Sequence, residues 1–472
     1  VYKRQIYSWR GAQVRNILEF PQYYPECKII RLEKNYRSTG HILNAASGVI
    51  GYNTNRYKKK LYTDAPAGEK VLIVRFPDEY AEADFVVDKI QKMMDNNISP
   101  GEIVILYRIN ALSRVFEQKL LEYDIPYTVV GGVGFYERAE IKDILAYLRV
   151  LINPADDISF RRIINRPRRG IGMQTVAKLA EIARDADLSL YEVIASGIPL
   201  PVGKSIQQSI RNFVNMMEGF RSDIEAVSPS LLVEEILKQT GYLSMLESDD
   251  SELAETRIEN LGQLLTAAVD FEKQNPQASV RDFLSSVTLM TDVDRWSHSE
   301  DKITLMTVHS AKGLEFDTVF LTGLELGIFP LSRALDNDDE MEEERRLFYV
   351  ALTRTQRQAF ITNAVQRSRF GSVMEMVPSP FLSELPDDSI EKMDLVPTSS
   401  IHLRTDYKRS SVYKKSVSKS KYFNGMKVIH PFFGKGTIVE VRGSGEEAII
   451  TVQFAKSGKK KLVAGFAKLR KI

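Results

Sequence analysis

The alternation of strands and helices in this chain stops near residue 137 and resumes near residue 303. That interruption constrains the fold more than any other feature. Short apolar runs at 29–32 (I-I-R-L), 71–76 (V-L-I-V-R-F), 103–107 (I-V-I-L-Y) and 127–130 predict strands. Between them, 79–94 sets Phe85, Val86, Ile90 and Met93 at helical spacing, and 112–123 is a second amphipathic stretch. Strands alternating with helices imply a parallel sheet with helices on its faces. From 137 to 300 the pattern changes to long helical periodicity at 141–151, 175–185, 205–226, 231–240 and 252–274. Strands return at 303–308, 318–324 and 359–363, and a helix is predicted at 340–355. The expected fold class is α/β, a parallel-sheet domain carrying a large all-helical insertion.

The remainder of the chain adds a small domain and bounds the function. Residues 385–422 are poor in apolar side chains and contain Pro386 and Pro397, which predicts a flexible basic linker. Residues 423–472 alternate short β-rich runs with Gly turns, the pattern of a small antiparallel barrel. A chain of 472 residues is long for one core, and its hydrophobic fraction of 43% argues against disorder. No apolar run approaches the ~20 residues that span a bilayer, so no membrane partner is expected. The opening V-Y-K-R-Q-I-Y-S-W-R lacks a signal-peptide core, and the single Cys27 excludes an internal disulfide framework. A cytoplasmic location follows as the expectation. Net charge is only +2, from 64 basic and 62 acidic residues, so its distribution matters more than its sum. The acidic run 336–344 reads as a solvated loop. The basic stretches 404–421 and 456–471 suit either contact with a polyanion or a solvated tail.

Several segments carry the chemistry of phosphate and nucleic-acid contact. Phosphoryl transfer needs positive charge where the γ-phosphate leaves, and arginine supplies it as a planar fork of donors. Arg37 stands in L-E-K-N-Y-R-S-T-G, and Arg354 ends Y-V-A-L-T-R-T. Each alone reads as well as a surface ion pair or a helix C-terminal charge. The segment T-V-H-S-A-K-G-L-E-F, 307–316, sets His309, a Lys312-Gly313 turn and Glu315 around one sheet edge. Tyr7 and Trp9 offer flat faces on which bases stack, worth about 1–3 kcal/mol per base, and Arg10 is placed to hold a phosphate. I-I-N-R-P-R-R-G-I-G-M-Q-T-V reads as helix, turn, helix. Its Gly170-Ile171-Gly172 turn exposes amides at a helix N-terminus, flanked by Arg168 and Arg169; the alternative is an ordinary turn. V-G-K-S at 202–205 is a decoy, because a P-loop requires Gly where Ile198 stands. No G-x-x-x-x-G-K-[ST] occurs, and no strand ends in a paired-acid motif.

Taken in order along the chain, these segments resemble the motifs of superfamily 1A DNA helicases of the UvrD/PcrA type. I-Y-S-W-R-G-A (6–12) resembles the end of motif III, N-Y-R-S motif IV, T-V-H-S-A-K-G-L-E-F motif V and Y-V-A-L-T-R motif VI. Y-R-I-N-A-L-S-R-V-F-E (107–117) resembles a further motif, and G-G-V-G-F-Y-E-R-A-E-I-K-D (131–143) the passage into the family's insertion domain. The resemblance implies that Arg37 and Arg354 are catalytic contacts to the γ-phosphate of ATP. It implies that Tyr36 stacks on adenine and that Glu315 accepts from the ribose. Tyr7, Trp9, Arg10, Arg108, Asn110 and His309 would meet single-stranded DNA, and Arg168, Arg169, Gly170 and Gly172 duplex DNA.

The same resemblance implies a domain plan. Residues 1–27 would close a first RecA-like domain, 28–136 and 301–384 would form a second, and 137–300 its helical insertion. After the linker 385–422, residues 423–472 would form a Tudor-like, SH3-like barrel with RNA polymerase as a partner. The function implied is the C-terminal part of an ATP-dependent 3′-5′ DNA helicase of repair or replication. Mg²⁺ would be a cofactor with no ligand in these residues. The expectation is of an N-terminally truncated chain, inactive alone for want of a P-loop, whose first five residues are foreign to the family: Arg4 and Gln5 stand where the family has Gln and Ser. Two alternatives are the helicase-like subunit of a recombination helicase–nuclease and a non-enzymatic module that binds DNA or RNA polymerase.

Overall fold

The structure, a computed structural model, describes residues 14–54, 61–222, 224–225, 227–249, 251–296, 301–397, 423–430, 434–442, 449–454, 458–463 and 470–471. The chain forms two units, 1–400 and 401–472, each taken by itself.

The first unit is built on a seven-stranded sheet in the order Ile390–Asp394, Val71–Phe76, Thr355–Ala364, Phe316–Leu321, Ile103–Tyr107, Ile303–Thr307, Tyr127–Val130. Every pairing is parallel. The inner strands are nearly continuous apolar runs because helices cover both faces. On one face, helices Gly40–Gly51 and Asp338–Leu352 pack Ile42, Val49, Leu347 and Val350 onto Val71, Val104, Leu106 and Val319. On the other, helices Glu79–Asp95 and Ser113–Glu122 pack Val86, Ile90, Phe116 and Leu120 onto Ile103, Ile105, Phe320 and Phe360. Each such fully buried side chain contributes about 1.5–3 kcal/mol. Asp78 caps its helix by accepting from Tyr80 N and Ala81 N at 3.0 and 2.9 Å.

The interruption in the sequence is a helical layer. Among the described residues nine helices run from Ala139–Ile152 to Val280–Trp296, and no strand lies between them. They enclose a separate core that includes Leu148, Phe160, Phe213, Ile236, Leu261 and Phe283. The hairpin of Gln366–Arg369 and Ser372–Glu375 bridges layer and sheet. Arg367 turns down to Glu82 and Glu325, at 2.7 Å from each, while Gly371 N donates to Thr266 Oγ1 at 3.1 Å. Gly262 lets the hairpin approach closely here, since a Cβ would stand 3.0 Å from the Phe370 ring.

Three expectations are corrected. Residues 29–32 are not a strand; Ile29, Ile30 and Leu32 are 52, 72 and 77% exposed, and only Lys34–Asn35 pairs, with Tyr62–Thr63. The stretch expected as linker from 385 begins inside the fold, because Ile390–Asp394 is the sheet's outer strand. The acidic run is not a solvated loop but the start of helix Asp338–Leu352. Asn337 caps it, three acids in its first turn complement the helix dipole, and Glu342 and Glu344 are buried.

Among the described residues of the second unit, five antiparallel strands lie in the order Gly458–Val463, Ile449–Phe454, Gly434–Arg442, Lys427–His430, Arg470–Lys471. Met426, Val428, Ile438, Ile450, Val452 and Phe454 form its core.

Candidate nucleotide and nucleic-acid site

A polar cluster forms where helix Asp338–Leu352 ends and strand Thr355–Ala364 begins. Asn35 Oδ1 accepts from Arg37 N and Ser38 N, both at 2.9 Å, and so folds the N-Y-R-S segment into a tight turn. Ser38 Oγ donates to Thr355 O at 2.7 Å and Thr39 N to Gln356 O at 3.1 Å, which pins the turn across the strand start. Arg37 is thereby aimed: its Nε donates to Glu315 Oε2 at 2.5 Å and its Nη1 to Thr353 O at 3.0 Å. Gln356 Nε2 donates to the other Glu315 oxygen at 3.3 Å. Glu315 is half exposed, and an ion pair so placed contributes only ~0.2–1 kcal/mol, weak enough for an incoming anion to exchange. Beside it Tyr36 is 83% exposed, with Lys34 Nζ 5.1 Å from its ring centre. Asn35, Thr353 and Gln356 escaped the sequence reading; their one signal was adjacency to the two arginines.

Arg354, the second arginine of the motifs, is held differently from Arg37. Its guanidinium does not face outward but is buried at 2% exposure. Nε donates to Val350 O at 3.0 Å, Nη1 to Leu314 O at 2.9 Å and Nη2 to Thr353 Oγ1 at 3.2 Å. The last carbonyls of a helix lack intrahelical donors, and Arg354 supplies one while tying down the loop that carries Glu315.

His309, Arg108 and Asn110 lie at the opposite edge. His309 and Arg108 follow the C-terminal ends of Ile303–Thr307 and Ile103–Tyr107, whereas Glu315 precedes the N-terminal end of Phe316–Leu321. In a parallel sheet these ends are a strand length apart, ~17 Å. The motif around His309 and Glu315 therefore crosses the sheet from one edge to the other. Arg108 is paired with a nearly buried acid: Nε reaches Glu344 Oε1 and Oε2 at 3.1 and 3.0 Å, and Nη2 reaches Oε1 at 2.6 Å. Burial first, and then the charges of Arg108 and Arg333, hold the His309 imidazole down to about 3, so it is neutral at physiological pH. Asn110 is half-buried at the start of the turn Asn110–Leu112.

In the helical layer, Gly170 has φ +77° and is exposed, Gly172 caps helix Met173–Ala186, and Arg168 is exposed beside them. Arg169 is held differently from Arg168. It turns inward, with Nη1 on Ile163 O at 2.9 Å and Nη2 on the Tyr147 hydroxyl at 2.7 Å, over the Phe213 ring at 5.0 Å. Tyr7, Trp9 and Arg10 lie outside the described residues. Among the described residues no three His, Cys, Asp or Glu side chains gather to hold a metal ion, and no helix is long and apolar enough to cross a membrane.

The fold and these sites define an α/β protein with a helical insertion, a polar arginine–carboxylate–tyrosine cluster at one sheet edge and basic and imidazole groups at the other. The chain belongs to the UvrD-like helicase C-terminal domain family, whose model matches residues 30–366; the model of the PcrA/UvrD tudor domain matches 425–471. It is 40% identical to the ATP-dependent DNA helicase PcrA of Staphylococcus epidermidis strain ATCC 12228, over 99% of this chain and 65% of that protein. The corresponding figures are 40%, 99% and 66% for PcrA of Bacillus subtilis strain 168. The chain thus spans slightly less than two thirds of the length of these relatives. Because the alignments run through 99% of the chain, they lend no support to the expectation of a truncated chain with a foreign start. A solved C-terminal domain of a possible DNA helicase from Lactobacillus plantarum covers 76% of this chain at 11% identity and a TM-score of 0.30, too slight a likeness to carry an argument.

Proposed function

We propose that this chain is the part of an ATP-dependent 3′-5′ DNA helicase that closes on the nucleotide and grips DNA, in repair or replication. The observation that carries the proposal is the cluster of Tyr36, Arg37 and Glu315. An exposed aromatic face and a cation on one turn, with the carboxylate of a second loop paired to that cation, match the base, phosphate and ribose of ATP. Arg37 exchanges Glu315 for the γ-phosphate, and the freed Glu315 accepts from the ribose hydroxyl. Tyr36 stacks on adenine. Arg354 joins the phosphate only after releasing the Leu314 and Val350 carbonyls.

On the other edge, neutral His309 and Asn110 meet single-stranded DNA, with Tyr7, Trp9 and Arg10 as stacking and phosphate contacts. Arg108 joins them only by leaving Glu344. Arg168 and the amides around Gly170 and Gly172 meet duplex DNA. The terminal sheet closes into a Tudor-like barrel that takes RNA polymerase as a partner, and the protein works in the cytoplasm. No step here is assigned to Mg²⁺. With no P-loop among them, these 472 residues do not hydrolyse ATP unaided. That same lack favours a second reading, a module that binds DNA or polymerase without hydrolysis.

Unwinding of 3′-tailed against 5′-tailed duplexes by the full-length protein with ATP tests the proposal. Unwinding of the 3′-tailed substrate is expected; ATP-independent binding with no strand separation on either substrate favours the second reading.

A further inference from the structure

Thr353 stands between the two arginines of the nucleotide cluster. Its carbonyl oxygen accepts from Arg37 Nη1 at 3.0 Å. Its hydroxyl accepts from Arg354 Nη2 at 3.2 Å and donates to Val350 O at 3.0 Å. Thr353 is wholly buried and Arg354 nearly so, so water does not substitute for these partners. The hydroxyl's one proton is committed to Val350, which leaves its lone pairs for Arg354. A threonine side chain is stiff about its first torsion, so its hydroxyl follows movements of the Thr353 backbone.

We propose that Thr353 is a positioning residue that couples Arg37 to Arg354, so that drawing one arginine onto a ligand resets the other. The path has four bonded steps. Arg37 Nη1 holds the Thr353 carbonyl. The Thr353 hydroxyl holds Arg354 Nη2. Arg354 Nη1 holds the Leu314 carbonyl at 2.9 Å, and Leu314 adjoins Glu315, which itself pairs with Arg37. The five residues, Arg37, Thr353, Arg354, Leu314 and Glu315, form a closed ring of contacts. When Arg37 leaves Glu315, its pull on the Thr353 carbonyl changes, and the hydroxyl passes that change to the buried guanidinium. Arg354 is the group that must lose inward partners to reach a phosphate, so the ring supplies a reason for it to do so only when Arg37 is engaged. The inference rests on the reading that this cluster takes a nucleoside triphosphate.

Two measurements test it. In the full-length protein with saturating single-stranded DNA, Thr353→Val removes the hydroxyl and Thr353→Ser keeps it. Thr353→Val is expected to lower kcat for ATP about tenfold with KM within about twofold, and Thr353→Ser to restore at least about half of the rate. Unchanged turnover in Thr353→Val, a rise in KM alone, or a Thr353→Ser variant as slow as the valine would each overturn the coupling.

The second measurement needs no nucleotide. With ¹⁵N-arginine labelling, Arg37→Ala is expected to shift the Arg354 Nε–H resonance when Thr353 is present and to leave it in place when Thr353→Val is also present. No shift with Thr353 intact, or an equal shift in both backgrounds, overturns the proposal. A wild-type protein that does not hydrolyse ATP sinks the nucleotide reading alone, and the resonance still decides the role of Thr353.

Discussion

Arg37 and Glu315 lie 278 positions apart in sequence and meet in an ion pair, with Nε 2.5 Å from Oε2. The pair joins the turn after the first short strand to the loop before Phe316–Leu321. Both side chains keep solvent contact, so each is already half-way to a ligand. In the proposed function the pair is a stand-in: the arginine rests on a carboxylate where a phosphate will lie, and the carboxylate on a cation where a ribose hydroxyl will lie.

Tyr36 is the first residue to probe. With 83% of its surface free, it has no packing role to lose. Base–aromatic stacking is worth about 1–3 kcal/mol, so Tyr36→Ala raises KM for ATP about tenfold or more and leaves kcat near its wild-type value. Tyr36→Trp keeps KM low. Steady-state hydrolysis in the presence of DNA checks this, and an unchanged KM in the alanine variant contradicts it.

His309 predicts a pH dependence. Its folded value of about 3 lies below the ordinary 6.5, so the unfolded chain binds the proton more tightly. The stability it contributes is present above about pH 6.5 and declines as pH falls toward 3, at up to ~1.4 kcal/mol per pH unit. Urea unfolding of wild type and His309→Gln at pH 7.5 and 5.5 reads the difference. Wild type loses more stability than the variant on acidification; equal losses contradict the neutral imidazole. Under the proposed function the ring stays neutral, so the contribution of His309 to DNA affinity is expected to be flat between pH 5 and 8.

Glu344 holds Arg108 with side-chain exposures of only 5 and 10%. Glu344→Ala leaves a nearly buried guanidinium without its partner, which costs about 3–5 kcal/mol, while Glu344→Gln keeps hydrogen bonds and loses less. The denaturation midpoints should fall in the order wild type, Gln, Ala. A Glu344→Ala midpoint equal to wild type would show the pair to be dispensable.

The parallel sheet was legible because its inner strands are buried on both faces and must be apolar. Residues 103–107 are a continuous apolar run for that reason. The strand Ile390–Asp394 was not legible: only Ile390 is buried, and the other four residues are exposed at the sheet's rim. Backbone pairing holds it, which side-chain pattern does not report. The error at 29–32 is the converse, an apolar run with no strand to pair with. In the candidate site, residue types were legible and their orientations were not. Arg37, Arg354, Arg108 and Arg169 look alike in sequence, yet one faces solvent beside a carboxylate and three are drawn inward by helix-end or turn carbonyls or by a buried acid. Which fate befalls an arginine depends on acceptors supplied from up to hundreds of residues away.

The central claim is that Arg37 is half of a nucleotide site rather than the partner of a surface salt bridge. DNA-stimulated ATP hydrolysis by full-length Arg37→Ala, measured beside its affinity for single-stranded DNA, tests it most directly. The account predicts turnover lower by about 10²-fold or more, since an arginine that meets developing charge on a transferring phosphoryl group is worth that much, with DNA affinity within about twofold of wild type. Wild-type turnover in Arg37→Ala would contradict it.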